Sequence, residues 1–196
     1  MNATIISIIN KFGYIGILLL IAIENIFPPI PSEVILTFSG FIAESAELNL
    51  FLIIIYATLG SVLGAIILYF FGVILINSKI SKILHLKEEN IKNSIETFKK
   101  KGSKSVFFCR LVPILRSLIS IPAGLSKMNF LLFLTLTTVG SLIWNIILIL
   151  LGNMVGENYY LVADFISSYY KFIILAFIII YIIVKRHKAK KIITIK

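Results

Sequence analysis

The stretch whose reading decides the fold is residues 24–33, ENIFPPIPSE. It interrupts one of the most apolar parts of the chain with Pro28, Pro29 and Pro31, with Asn25 and Ser32, and with two glutamates, Glu24 and Glu33. None of these suits a lipid-facing helix. Proline removes a backbone hydrogen bond and clashes with the preceding turn. An ionised side chain at the centre of an inserted helix costs about 2.5–3.5 kcal/mol. Irregular backbone survives at membrane depth only where protein or a watery cavity surrounds it. The three prolines are therefore read as breaking a helix, so that a glutamate-bearing hairpin dips partway into a bilayer and lines a cavity.

The rest of the sequence supports a bilayer setting. Of 196 residues, 59% are hydrophobic and only 14% charged, with a mean hydropathy of +1.01; soluble domains hold about 45–50% apolar residues. The net charge of +10 would suit nucleic acid if it were spread over a soluble domain bearing aromatics, but it is not. Eight lysines fall between Lys79 and Lys104 and six basic residues between Lys185 and Lys196. Both clusters flank apolar segments, as cytoplasmic loops do. Nucleic acid is excluded as a partner. The single cysteine, Cys109, rules out an internal disulfide, has no neighbouring His or Cys set for a metal, and reads as a small buried apolar residue. Lys11 precedes an apolar run that leads into Glu24 rather than a cleavage site, so residues 1–27 are read as retained.

A spanning helix needs roughly 20 apolar residues. Phe51–Ile76 and Met128–Gly156 qualify without a charge. Phe165–Val184 qualifies if Lys171 snorkels. Residues 4–23 form a fourth candidate, with an interfacial start that becomes a span after Lys11. Two shorter apolar stretches remain, 28–43 and 106–126, the second broken by Arg110, Pro113, Arg116, Pro122 and Gly124. The basic 79–104 loop and the 185–191 tail should share the cytoplasmic side, which requires an even number of crossings between them. Two spans supply that number, so 106–126 must enter and leave on one side. The same count sends 28–43 in from the outside and leaves both termini cytoplasmic. The expectation is an all-α integral membrane protein, with about four spanning helices and two oppositely oriented re-entrant hairpins. Its parts are a first repeat at about 12–77, a cytoplasmic amphipathic linker at 78–105, a second repeat at about 106–156, a final span at 165–184 and a basic tail at 185–196. In the linker, Leu84, Ile91, Ile95 and Phe98 share one helical face, predicting a helix that lies on the inner leaflet.

The halves echo each other. LGSVLGAIILYFFG at 59–72 aligns with VGSLIWNIILILLG at 139–152, matching Gly60, Ser61, Ile66, Ile67, Leu68 and Gly72 to Gly140, Ser141, Ile146, Ile147, Leu148 and Gly152. Upstream, Pro31, Glu33 and Ser39-Gly40 correspond to Pro113, Arg116 and Ala123-Gly124. Inverted repeats with broken helices place a substrate site near the bilayer midplane. Gly60 and Gly64 form a small-xxx-small pair for close helix packing. Trp144 is expected to pack against a hairpin, and Asn145 to hydrogen-bond a broken segment. Tyrosines 159, 160, 169 and 170 read as interfacial anchors.

Glu24, Glu33, Arg110 and Arg116 invite pairing across the two halves. Arginine stays charged and offers a planar fork for phosphate oxygens; a carboxylate in a dry site can hold a proton near neutrality. Six residues rotate a helix by about 240°, so Arg110 and Arg116 do not share a face unless Pro113 redirects the chain. The functional expectation is a polar cavity that receives an anionic headgroup and a proton.

The motifs ENIFPPIPSE at 24–33, RLVPILRSLISIPAG at 110–124, KMNF at 127–130 and GSLIW at 140–144 closely resemble the DedA family of bacterial membrane proteins, also called the VTT or SNARE-associated domain family. The resemblance covers roughly residues 10–185. It implies lipid translocation in the bacterial inner membrane. Family members include flippases for undecaprenyl phosphate, and eukaryotic relatives scramble phospholipids. It also implies dependence on proton motive force, with Glu24 and Glu33 as the essential acids and Arg110 and Arg116 as the essential arginines. Many members carry aspartate where Glu33 stands. On this reading the partners are a lipid phosphate headgroup, membrane lipids and protons. No cofactor is called for, the protein is not an enzyme, and self-association is left open. Other readings stay open too: a proton-coupled ion or small-solute transporter, or a biogenesis factor that transports nothing. A membrane phosphatase would need an Asp/His metal cluster or a Ser-His-Asp set. His85 and His187 sit in basic flanks instead.

Overall fold

A computed structural model describes residues 2–27, 31–76, 88–113 and 115–155, with side chains in the first helix from Lys11 onward. Pro28, Pro29, Leu84, the tyrosine anchors, both histidines, the final span and the basic tail lie outside the described residues. The described residues form helices: α1 (Asn2–Ile26), α2 (Ser32–Phe41), α3 (Leu50–Leu75), α4 (Glu88–Lys101), α5 (Lys104–Arg110), α6 (Leu115–Leu118), α7 (Ser120–Leu125) and α8 (Phe130–Val155).

The predicted spans Phe51–Ile76 and Met128–Gly156 appear as α3 and α8, the two described helices long and apolar enough to cross a bilayer. Each begins at an asparagine. The Asn49 side chain accepts from the Phe51 N–H at 2.8 Å, and Asn129 accepts from the Leu132 N–H at 3.0 Å. Such caps satisfy donors that the first helical turn leaves bare. Two residues before each cap the backbone takes a positive φ, at Glu47 (52°) and Lys127 (49°). The turns close alike, with Leu48 N–H on Ala43 O at 2.8 Å and Met128 N–H on Ala123 O at 3.1 Å. The two helices also expose matching apolar stripes: Leu59, Leu63, Ile67, Phe70 and Ile74 on α3, and Val139, Ile143, Ile147, Leu150 and Met154 on α8. Each pair is 80 residues apart. Apolar surface of this extent belongs against lipid.

The opposite faces of α3 and α8 hold α1, α2, α5 and α7, while α4 packs on α7 and α5. α1 packs along α3, α2 along α8, and α7 along α3. α1 is broken at Gly13 (φ 54°, ψ −131°), two residues after Lys11, where the sequence places the change from interfacial segment to span. Glycine crossings set the close approaches. A Cβ on Gly60 would meet the Leu18 backbone of α1, and one on Gly64 would lie 2.6 Å from Asn25 Cβ. α2 meets α8 where Gly40 abuts Ile149 O and Gly152 abuts Thr37 O. α7 meets α3 where Gly124 abuts Tyr69 O and Gly72 abuts Ile121 O. In each crossing the partner of one glycine lies three residues before the other. The short helix of each half thus docks on the long helix of the other half through one shared device.

Two apolar clusters fill the interior. The first joins Ile17 and Ile21 to Val34, Ile35 and Phe38, Ile53 and Ile149, with Trp144 packed against the cluster. The second joins Ala65 and Tyr69 to Phe98, Val106, Ala123 and Phe133. Phe98 belongs to α4. The apolar face of this amphipathic helix is therefore spent at least partly on the protein, not on the leaflet alone.

Candidate functional site

Segment 106–126 folds as α5, α6 and α7, three short helices in place of one. α5 ends at Arg110, Pro113 stands in the gap, and α6 opens at Leu115. Proline cannot donate into a continuing helix. Pro122 is tolerated because it falls in the first turn of α7, where backbone donors have no helical acceptor. In the first half of the chain Pro31 precedes α2 with φ −74° and ψ 110°, an extended entry into that helix.

These breaks turn polar side chains inward. Arg110, Arg116, Glu24 and Glu33 are 1%, 3%, 4% and 6% exposed. Arg116 Nη2 donates to Glu24 Oε2 at 3.0 Å, joining the second broken segment to the end of α1. Arg110, with its guanidinium on the other side of the Pro113 break, donates through Nη2 to Ser120 Oγ at 2.8 Å and Thr137 Oγ1 at 3.4 Å. Its stem fills the space at Gly140, where a Cβ would lie 2.7 Å from Arg110 Cβ. Arg110, Arg116 and Glu33 all act electrostatically on Glu24. The structure thus brings one acid and one arginine into contact and sets the other two charges within reach.

Further buried polar side chains lie in the same helices, and the sequence reading passed over Ser117, Ser120 and Thr137 among them. Ser117 and Ser120 are buried, as are Thr137, Ser141 and Asn25. Asn25 Nδ2 donates to Ser61 O at 2.6 Å. Asn145 Nδ2 donates to Thr58 Oγ1 at 3.1 Å and Ser61 Oγ at 3.5 Å. Its partners are on the long helix α3, not on a broken segment as expected, because α3 and α8 cross directly there. The signal available was simple: isolated Ser, Thr and Asn residues in otherwise apolar helices.

Arg110 stands out within this set. Among the described residues no carboxylate lies within ion-pair distance of it, and its Nε and Nη1 have no hydrogen-bond acceptor. Ser117 Oγ and Asn25 Oδ1 are likewise unbonded there. Buried polar groups are normally paired, and an unpaired buried charge is costly. The arrangement can therefore hold an anion: it offers three N–H directions from one guanidinium, with a second guanidinium engaged by a carboxylate beside it. No group of three or more metal-capable His, Cys, Asp or Glu side chains occurs among the described residues. Cys109, expected to be buried, is only half-buried.

Residues 30–154 match the VTT domain model. A Lactococcus lactis subsp. lactis protein called "Alkaline phosphatase-like protein" is 49% identical over 191 residues, covering 93% of this chain and 89% of its own. The Staphylococcus aureus "Undecaprenyl phosphate transporter A" is 35% identical over 186 residues, covering 91% of this chain and 92% of that one. The Bacillus subtilis protein of the same name is 31% identical over 191 residues, covering 94% of each. No solved structure matches.

Proposed function

The chain belongs to the VTT-domain family of membrane proteins, and from that premise we propose that it carries a lipid phosphate, most specifically undecaprenyl phosphate or a phospholipid, across the bacterial plasma membrane. The observation that carries the reading is Arg110: a guanidinium 1% exposed, with no carboxylate in ion-pair contact among the described residues and with bare Nε and Nη1. The names of the Staphylococcus and Bacillus relatives point the same way.

On this proposal the two broken segments are re-entrant hairpins that open from opposite leaflets onto the polar site. Phosphate oxygens accept from Arg110 Nε and Nη1, while Ser120 and Thr137 hold Nη2 in place. An arriving headgroup also competes with Glu24 for Arg116. A phosphate adds at least one negative charge to a site already holding Glu24 and Glu33. A displaced glutamate left charged and unpaired costs several kcal/mol, so it takes up a proton instead. Lipid entry is thereby linked to protonation of Glu24, which is the route to coupling with proton motive force. The shared glycine crossings of α2 on α8 and α7 on α3 support two equivalent gates.

The test is surface exposure of undecaprenyl phosphate in cells whose only copy carries Arg116→Ala or Arg110→Met. Both variants at normal protein levels should lower exposure at least about tenfold, the loss expected for a bidentate charged contact of roughly 1.5–3 kcal/mol. Wild-type exposure in both would refute the proposal. A proton-coupled carrier of ions or small solutes would instead work in liposomes free of any lipid substrate.

A further inference from the structure

A cavity of about 550 Å³ lies between α4 and the α5–α7 segment, away from the buried charges. Its size is ordinary for a bound small molecule. Leu115, Leu118 and Ile119 form an apolar floor, and Asn93, Thr97 and Lys101 from α4 form a polar rim. Cys109 lines the wall. Adjacent residues face the other way: Arg110 lies next to Cys109, and Arg116 and Ser117 fall between Leu115 and Leu118, yet all three are buried. One thin hairpin thus has the polar site on one side and this cavity on the other.

The charge at the rim says what would fill it. α4 ends in Lys99, Lys100 and Lys101, and Lys104 opens α5. A lysine pairs an ammonium with an apolar stem, so Lys101 can meet an anionic head while its stem lies along apolar surface. An apolar floor beneath a lysine and neutral amide and hydroxyl groups fits a molecule with an anionic head and a hydrocarbon tail. Among the sources of such chemistry, a membrane protein meets the bilayer's own lipids first.

We propose that this cavity is a second lipid site, which takes an anionic membrane lipid with its phosphate at Lys101 and its chain over Leu115, Leu118 and Ile119. The proposal requires only the chain's place in a membrane. Binding here is read without any transport assay, so it can fail while lipid carriage stands, and the reverse.

Cys109 is the only cysteine in the chain and reports on the cavity without any engineering. Full-length protein in phosphatidylcholine nanodiscs is reacted with N-ethylmaleimide, and the rate is compared after adding phosphatidylglycerol or, separately, inorganic phosphate. Phosphatidylglycerol should slow the reaction, by about tenfold at ten times its dissociation constant; inorganic phosphate should not. Lys101→Glu should weaken this protection about fivefold or more, whereas Lys100→Glu, which makes the same charge change off the rim, should retain it. Thr97→Trp, at an exposed helical position on the rim, should slow labelling even in phosphatidylcholine alone and remove the further effect of phosphatidylglycerol. The proposal is overturned by a rate indifferent to phosphatidylglycerol, by equal protection from inorganic phosphate, by equal weakening in the two lysine variants, or by unchanged labelling in Thr97→Trp.

Discussion

Separating the Arg116–Glu24 pair tests whether this contact holds the broken segment in place or serves mainly the ligand. The two side chains are 3% and 5% exposed and meet at 3.0 Å. Unit charges about 4 Å apart attract by about 4 kcal/mol at an effective dielectric constant of 20. Glu24→Leu strands a buried guanidinium and Arg116→Met strands a buried carboxylate; each should cost about 3–5 kcal/mol. The double variant strands neither, and apolar replacement of a whole buried pair is often neutral or better. It should lie within about 1–2 kcal/mol of the wild type, leaving a coupling of at least about 4 kcal/mol. For a chain of this size each kcal/mol shifts the midpoint by about 2–4 °C. Each single variant should therefore melt about 6–20 °C lower and the double nearly as the wild type. Trp144, the only tryptophan, packs on the first apolar cluster and gives the fluorescence signal for thermal unfolding in detergent. Lipid carriage should remain lost in the stable double variant. If the single effects simply add, with coupling under about 0.5 kcal/mol, the pair is not the contact described and the reasoning fails.

Other expectations follow from single positions. Arg110→Met should leave the protein as stable as the wild type or roughly 1 kcal/mol more so, since it removes an unpaired buried charge, while abolishing lipid carriage; a marked loss of thermal stability would contradict the anion-site reading. Arg110→Lys keeps the charge but loses the planar fork, and carriage should fall at least about tenfold in liposomes. Gly124→Ala and Gly152→Ala, whose new Cβ atoms would strike Tyr69 O and Thr37 O, should each cost about 1–3 kcal/mol in thermal melts. Gly102→Ala, with open space and φ +74°, should cost about 1 kcal/mol from backbone strain alone.

The sequence exposed some layers of this design and hid others for physical reasons. The spans α3 and α8 were legible because unbroken apolar runs of that length have one economical state in lipid. The segment breaks were legible at Pro31 and Pro113 because proline acts locally. The 80-residue echo was visible in Gly60, Gly72 and their counterparts. What it did not reveal was that Gly40 and Gly124 cross over to the other half, because a glycine names a close approach but not its partner. The Asn49 and Asn129 caps carried a recognised local signal that the apolar context drowned. The pairing of Glu24 with Arg116, and not with Arg110, depends on the turn at Pro113 and could not be fixed from spacing. Ser120 and Thr137 beside Arg110 were equally hidden, since hydroxyl residues in apolar helices often bond their own backbone, as Thr135 does to Leu131 O at 2.9 Å. α4 showed its amphipathic face clearly, but not that Phe98 would be buried on protein.

The most direct measurement of the central claim is movement of labelled undecaprenyl phosphate across liposomes holding purified wild-type or Arg110→Met protein, with and without a pH gradient. The account predicts movement by the wild type, altered by the gradient, and background rates for the variant at equal incorporation. Equal rates in the two proteins would contradict it.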